Sequence, residues 1–97
     1  MTNVIFRKFN NKEVIALFPY EPYNRFDVDS ITSYMHIGQH SEADYQSIMK
    51  DTKPCKFEHE YKDLMDELES VGYEDLNVIE KRNFNFAVKN LKENFAY

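Results

Sequence analysis

His36 and His40 stand four residues apart, and Cys55 and His59 repeat that spacing downstream. Imidazole nitrogen and thiolate sulfur are the common donors to structural zinc, four to a site. His36, His40, Cys55 and His59 are therefore a candidate metal set. On a helix, an H-x3-H pair aims both rings at one ion. Gly38 interrupts this pair, which places it on a strand end and turn. Zinc sites in small domains usually carry more than one cysteine, so metal binding is the alternative reading and no cofactor is expected.

Covalent catalysis needs a base within reach of a nucleophile, and a third group to orient the base. Ser33, Ser41 and Cys55 are the candidate nucleophiles, and His36 or His40 the candidate base. Strand alternation puts Ser33 and His36 on opposite faces. Ser41 reads as a helix cap. Cys55 reads as a small apolar residue, or as a thiol activated by a helix N-terminus. Two glycines, Gly38 and Gly72, are too few for a glycine-rich phosphate loop. An enzyme is the runner-up to a binding protein.

Residues 20–26, Tyr-Glu-Pro-Tyr-Asn-Arg-Phe, concentrate rings and a guanidinium outside any periodic pattern. Tyr and Arg are enriched where binding energy concentrates, and loops commonly carry such sites. Tyr20, Tyr23, Arg25 and Phe26 are the functional-looking side chains here, with Tyr20, Tyr23 and Arg25 the binding candidates, set beside the turn that carries His36 and His40. In the competing reading, the rings fold back over the sheet edge.

The elements that must position these groups follow from periodicity. Val4–Phe9 and Glu13–Phe18 read as a hairpin around Asn10-Asn11-Lys12. The second strand is apolar on both faces, which places it centrally, and Pro19 ends it. Ser30–Ile37 reads as a third strand, with Ile31, Ser33, Met35 and Ile37 on one face and Thr32, Tyr34 and His36 on the other. Ser41 with Asp44 reads as a cap opening a helix over 42–50. Phe57, Tyr61, Leu64, Met65, Leu68 and Val71 form one helical stripe, closed by Gly72. Residues 76–80 read as a fourth strand and 85–95 as a terminal helix. The expected fold is α+β, a single domain over 1–97 in the order β-β-β-α-α-β-α. It has a mainly antiparallel sheet of about four strands and helices on one face.

Bulk properties narrow the function classes. With 42% hydrophobic and 15% aromatic residues, the 97-residue chain supports a packed core. One cysteine excludes an internal disulfide and fits a reducing compartment. No apolar stretch has the length of a signal peptide core or a membrane helix, so the expected location is the cytoplasm, with no membrane partner. Residues 41–80 carry four Lys against twelve acids. Such a field repels phosphate backbones and disfavours nucleic acid. Binding nucleic acid through the aromatic loop and the basic 81–92 segment is a third reading. The acidic face from Glu58 to Glu69 reads as solvated, or as paired with that basic segment.

Val14-Ile-Ala-Leu-Phe-Pro19 followed by Ser33-Tyr-Met-His-Ile-Gly-Gln-His40 resembles a family of small bacterial and phage-associated proteins with an ALFP…SYxHxGQH signature. The resemblance covers the first half of the chain and implies no particular activity. It implies a bacterial or phage source and adds Tyr34 and Gln39 to His36 and His40 as matched polar positions. The expected function is a small non-enzymatic protein-binding protein. An exposed strand edge leaves homodimer formation open.

Overall fold

The computed structural model describes residues 1–24, 26–36 and 39–94, without the side chains of Gln39 and Asn94. Strands β1 (Thr2–Lys8) and β2 (Val14–Pro22) form the expected antiparallel hairpin, with Ile5 opposite Leu17 and Lys8 opposite Val14. Asn11 braces the turn, its Oδ1 accepting from the Glu13 amide at 3.0 Å. The left-handed position falls on Lys12, at φ 72°. β2 does not stop at Pro19. It continues to Pro22 through an irregularity between Phe18 and Pro22, where a missing amide donor is tolerated.

β3 (Ser30–Met35) pairs antiparallel with β2. β4 (Gln39–Asp44) pairs with β3, placing His40 opposite Tyr34 and Ser41 opposite Ser33. This strand replaces the cap and first helical turn expected there. The Ser41 hydroxyl lies 3.2 Å from that of Ser33, and the Ser41 carbonyl accepts from Ser33 Oγ at 3.0 Å. Cross-strand pairing thus outcompetes the local capping pattern. The cap is Asp44, whose side chain accepts from the Ser47 amide at the start of α1 (Tyr45–Asp51).

The outer edge of β1 takes two short partners. β5 (Lys53–Pro54) pairs antiparallel with Arg7 and Lys8, and β6 (Leu76–Val78) pairs parallel with Thr2 to Val4. The sheet is therefore mixed and six-stranded, mostly antiparallel, and larger than the four strands expected.

Helices cover both faces of the sheet, not one. β2 explains why: Ala16 and Phe18 point one way, Ile15 and Leu17 the other, and all four are buried. On the first face, Val4, Phe6, Ala16, Phe18 and Tyr34 pack under Leu64 and Leu68 of α2 (Lys62–Ser70), with Phe6 stacked on Tyr61 at 4.4 Å. On the second, Ile5, Ile15, Leu17 and Ile31 pack against Tyr45, Ile48 and Met49. Arg7, also on this face, is buried and closes the end of α1. Its guanidinium donates to the carbonyls of Met49 and Thr52 at 3.0 and 2.7 Å, where the helix end leaves acceptors unpaired.

α2 starts later than its stripe predicts. Glu60, within a 3-10 turn (Glu58–Glu60), accepts from the amides of Lys56 and Phe57 and leaves Phe57 exposed. Its end is as expected: Gly72 adopts φ 120°, and the Tyr73 and Gly72 amides donate back to the Leu68 and Glu69 carbonyls. α3 (Phe84–Asn94) packs along β2, opened by Asn83, whose Oδ1 accepts from the Phe86 amide at 2.9 Å. The expected helix end at Phe95 lies outside the described residues. Among the described residues, no helix is long and apolar enough to cross a membrane.

Candidate functional site

The connection between β2 and β3 is built by its own side chains. Asn24 Oδ1 accepts from the Phe26 amide and Asp27 Oδ1 from the Asp29 amide, both at 2.9 Å. These are Asx turns, in which a short polar side chain replaces a backbone acceptor. The Ser30 carbonyl and amide tie the loop ends to Tyr23 and Asp27. This frame presents Tyr23 and Phe26 to solvent, 54% and 81% exposed.

Arg82 joins the loop to α3. Buried to 8% exposure, it donates to the Val28 carbonyl at 3.0 Å and forms an ion pair with Asp29. Its guanidinium carbon sits 4.1 Å from the centre of the Tyr45 ring and 5.5 Å from that of Phe84, an attraction of cation to ring face. Phe84 and Phe86 are half exposed beside it. Among the described residues of this helix, Ala87 is the buried one.

Tyr20 turns inward. Its hydroxyl accepts from the Asn83 amide at 2.7 Å, its carbonyl accepts from Asn90, and the Phe86 ring meets it edge-on at 4.7 Å. Tyr20 therefore braces α3. Arg25 lies outside the described residues.

The second cluster surrounds His40. Its Nε2 is 2.9 Å from the Tyr73 hydroxyl, and its ring meets Tyr34 edge-on at 4.8 Å. Tyr73, aimed by the Gly72 turn, stacks on Phe18 at 5.0 Å. Tyr34 is 1% exposed and belongs to the core, so it is not presented to a partner. Burial raises the Tyr73 pKa, with the Glu21 and Tyr34 charges adding to it. Burial also raises the Glu21 carboxyl, and the His40 charge pulls it partly back.

The loop and the His36 turn are not neighbours. β3 runs from Ser30, at the loop, to Met35, at the turn. Six residues at about 3.3 Å each separate the two connections. His36 is thus set apart from Tyr20 and Tyr23, while the charge of His40 still acts on Glu21. The side chain of Gln39 lies outside the described residues.

The four metal candidates are dispersed. His36 faces Glu67, with Nδ1 3.2 Å from Oε1, and His40 faces Tyr73. His59 stacks on Phe57, and Cys55 packs against the core under α2. Among the described residues, no three His, Cys, Asp or Glu side chains gather to hold an ion. Burial raises the Cys55 pKa, with the Glu60 charge adding to it. That is the reverse of an activated thiol. Among the described residues, no ion pair joins the basic segment to the acidic helix: Arg82 pairs with Asp29, and Lys89 faces Glu93.

Sequence reasoning missed Glu21, Tyr73, Arg82, Phe84 and Phe86. For Phe84 and Phe86 a signal exists: their two-residue spacing cannot keep both on one helical face. Arg82 carries no local signal, because its partners lie 37 and 53 residues away.

No family model, curated protein or solved structure matches this chain.

Proposed function

We propose that this chain is a non-enzymatic protein-binding module whose recognition surface is the aromatic end, formed by Tyr23, Phe26, Phe84 and Phe86. One observation carries the reading. Four large rings are half exposed or more on two segments that Arg82 holds together. Exposed rings leave apolar area in water, and proteins retain clusters of them where a partner covers them. Asx turns and the buried Arg82 pre-order the surface, so little conformational entropy is lost on binding. The partner is a protein with an apolar surface of matching shape. Rings at the centre of such a contact supply most of its energy.

Capture from a lysate tests this with three proteins: the parent chain, the Tyr23→Ser/Phe26→Ser variant, and a Gln46→Ser control on exposed α1 surface. The parent and control are expected to retain the same discrete partner, and the double variant to lose it while keeping its circular dichroism spectrum. Equal capture by all three contradicts the proposal.

A further inference from the structure

Tyr20, Glu21, Phe86 and Asn90 line an open cavity of about 230 Å³, with Met1, Thr2 and Asn3 lining its β1 side. Three features of its wall point to one kind of ligand. The Tyr20 and Phe86 rings stand nearly perpendicular, at 84°, with centroids 4.7 Å apart, and so form a corner. Aromatic rings attract cations to their faces, and most strongly once water is excluded. The half-buried Glu21 carboxylate takes part in none of the ion pairs formed among the described residues. The corner is held in place, since the Asn83 amide donates to the Tyr20 hydroxyl and Asn90 donates to the Tyr20 carbonyl.

We infer that this cavity is a subsite for an alkylammonium group, the end of a lysine side chain presented by the partner. The inference rests on the binding role proposed above and names the chemistry of one contact within it. An ammonium fits better than a neutral group because Glu21 supplies a charge and the rings supply apolar walls for the methylene stem. An anion is disfavoured by the same carboxylate. The Met1 ammonium, which lines the same cavity, is engaged elsewhere, facing Asp75 at 3.7 Å. Burial raises the Glu21 pKa and the His40 charge offsets only part of that, so an incoming ammonium would relieve the remaining cost.

The test is a titration of the full chain with Nα-acetyl-lysine methylamide, followed by amide chemical shifts. Its Nε-acetylated analogue, which is neutral, serves as the matched probe. Saturable shifts are expected at Tyr20, Glu21, Phe86 and Asn90, with a dissociation constant on the order of millimolar for so small a ligand. The acetylated probe is expected to produce none, and Glu21→Gln to weaken binding at least about tenfold, the scale of one charge-assisted contact. Phe86→Leu weakens it as well, through loss of the ring face. No saturable shift, equal response to both probes, or unchanged affinity in Glu21→Gln overturns the inference. Failure here is separable from failure of the binding role. Partner capture that survives Glu21→Gln but not Tyr23→Ser/Phe26→Ser leaves the aromatic surface standing and removes the ammonium subsite.

Discussion

Arg82 places its guanidinium carbon 4.1 Å from the centre of the Tyr45 ring while the Tyr45 hydroxyl accepts from the Arg82 amide at 3.1 Å. One residue thus locks the start of α3, the β2–β3 loop and α1 together. Arg82→Met keeps the apolar stem and removes the ion pair, leaving the Asp29 carboxylate uncompensated. We expect a loss of about 2–3 kcal/mol in urea unfolding, less than for a fully buried pair because Asp29 is partly solvated. The same variant is expected to weaken partner capture, because Val28 and Asp29 lose their anchor.

Lys8 and Glu60 form another long-range ion pair, at 2.6 Å. The hydrogen bond from Lys8, with backbone amides adding to it, lowers the Glu60 carboxyl to about 2. A carboxylate with a lowered folded pKa stabilises the fold above its unfolded value and loses that contribution as pH falls. The stability difference between the parent and Glu60→Gln is therefore expected to be constant near neutrality and to shrink between about pH 4.5 and pH 2. Urea midpoints across that range check it. A constant difference down to pH 2 contradicts it.

Glu21 has the opposite sign. Its folded pKa is raised by burial, so the folded state holds the proton more tightly than the unfolded chain. Stability then falls as pH rises through that window, and the ionised group is a cost at neutral pH. Glu21→Gln is expected to raise the melting temperature at pH 7 and to lose this advantage in acid. A lower melting temperature at pH 7 would show that Glu21 is already compensated.

Gly72 ends α2 with φ 120° and directs Tyr73 onto Phe18 and His40. A Cβ there meets nothing within 4 Å, so the cost of Gly72→Ala is one of backbone conformation alone. We expect a loss of about 1–3 kcal/mol in thermal or urea unfolding. The Tyr73 and His40 resonances are expected to shift together, because one turn positions their contact.

Much of the fold was legible in the sequence. The hairpin, the alternation of Ile31 and Ser33 against Thr32 and Tyr34, the α2 stripe and its Gly72 stop all follow from local periodicity. What was not legible depends on partners distant in sequence. Ser41 has the pattern of a cap, but β3 takes its backbone into a sheet. β2 is apolar on both faces, a sign of two covering layers, yet no local rule assigns α1 and α2 to opposite sides. In the candidate site, the exposed Tyr23 was accessible from composition. Its separation from His36 was not, because that depends on which end of β3 each connection joins. Arg82 looked like a member of a basic tail, and burial against Tyr45 gives it a different role.

The central claim is that the aromatic end meets a protein partner. Site-specific photocrosslinking tests it most directly, with a photoreactive phenylalanine analogue placed at Phe26 in one protein and at Gln46 in another. A discrete crosslinked partner from position 26, absent from position 46 and lost when Phe84 and Phe86 are changed to Ser, is the predicted result. No crosslink at position 26, or the same crosslinks from both positions, contradicts the claim.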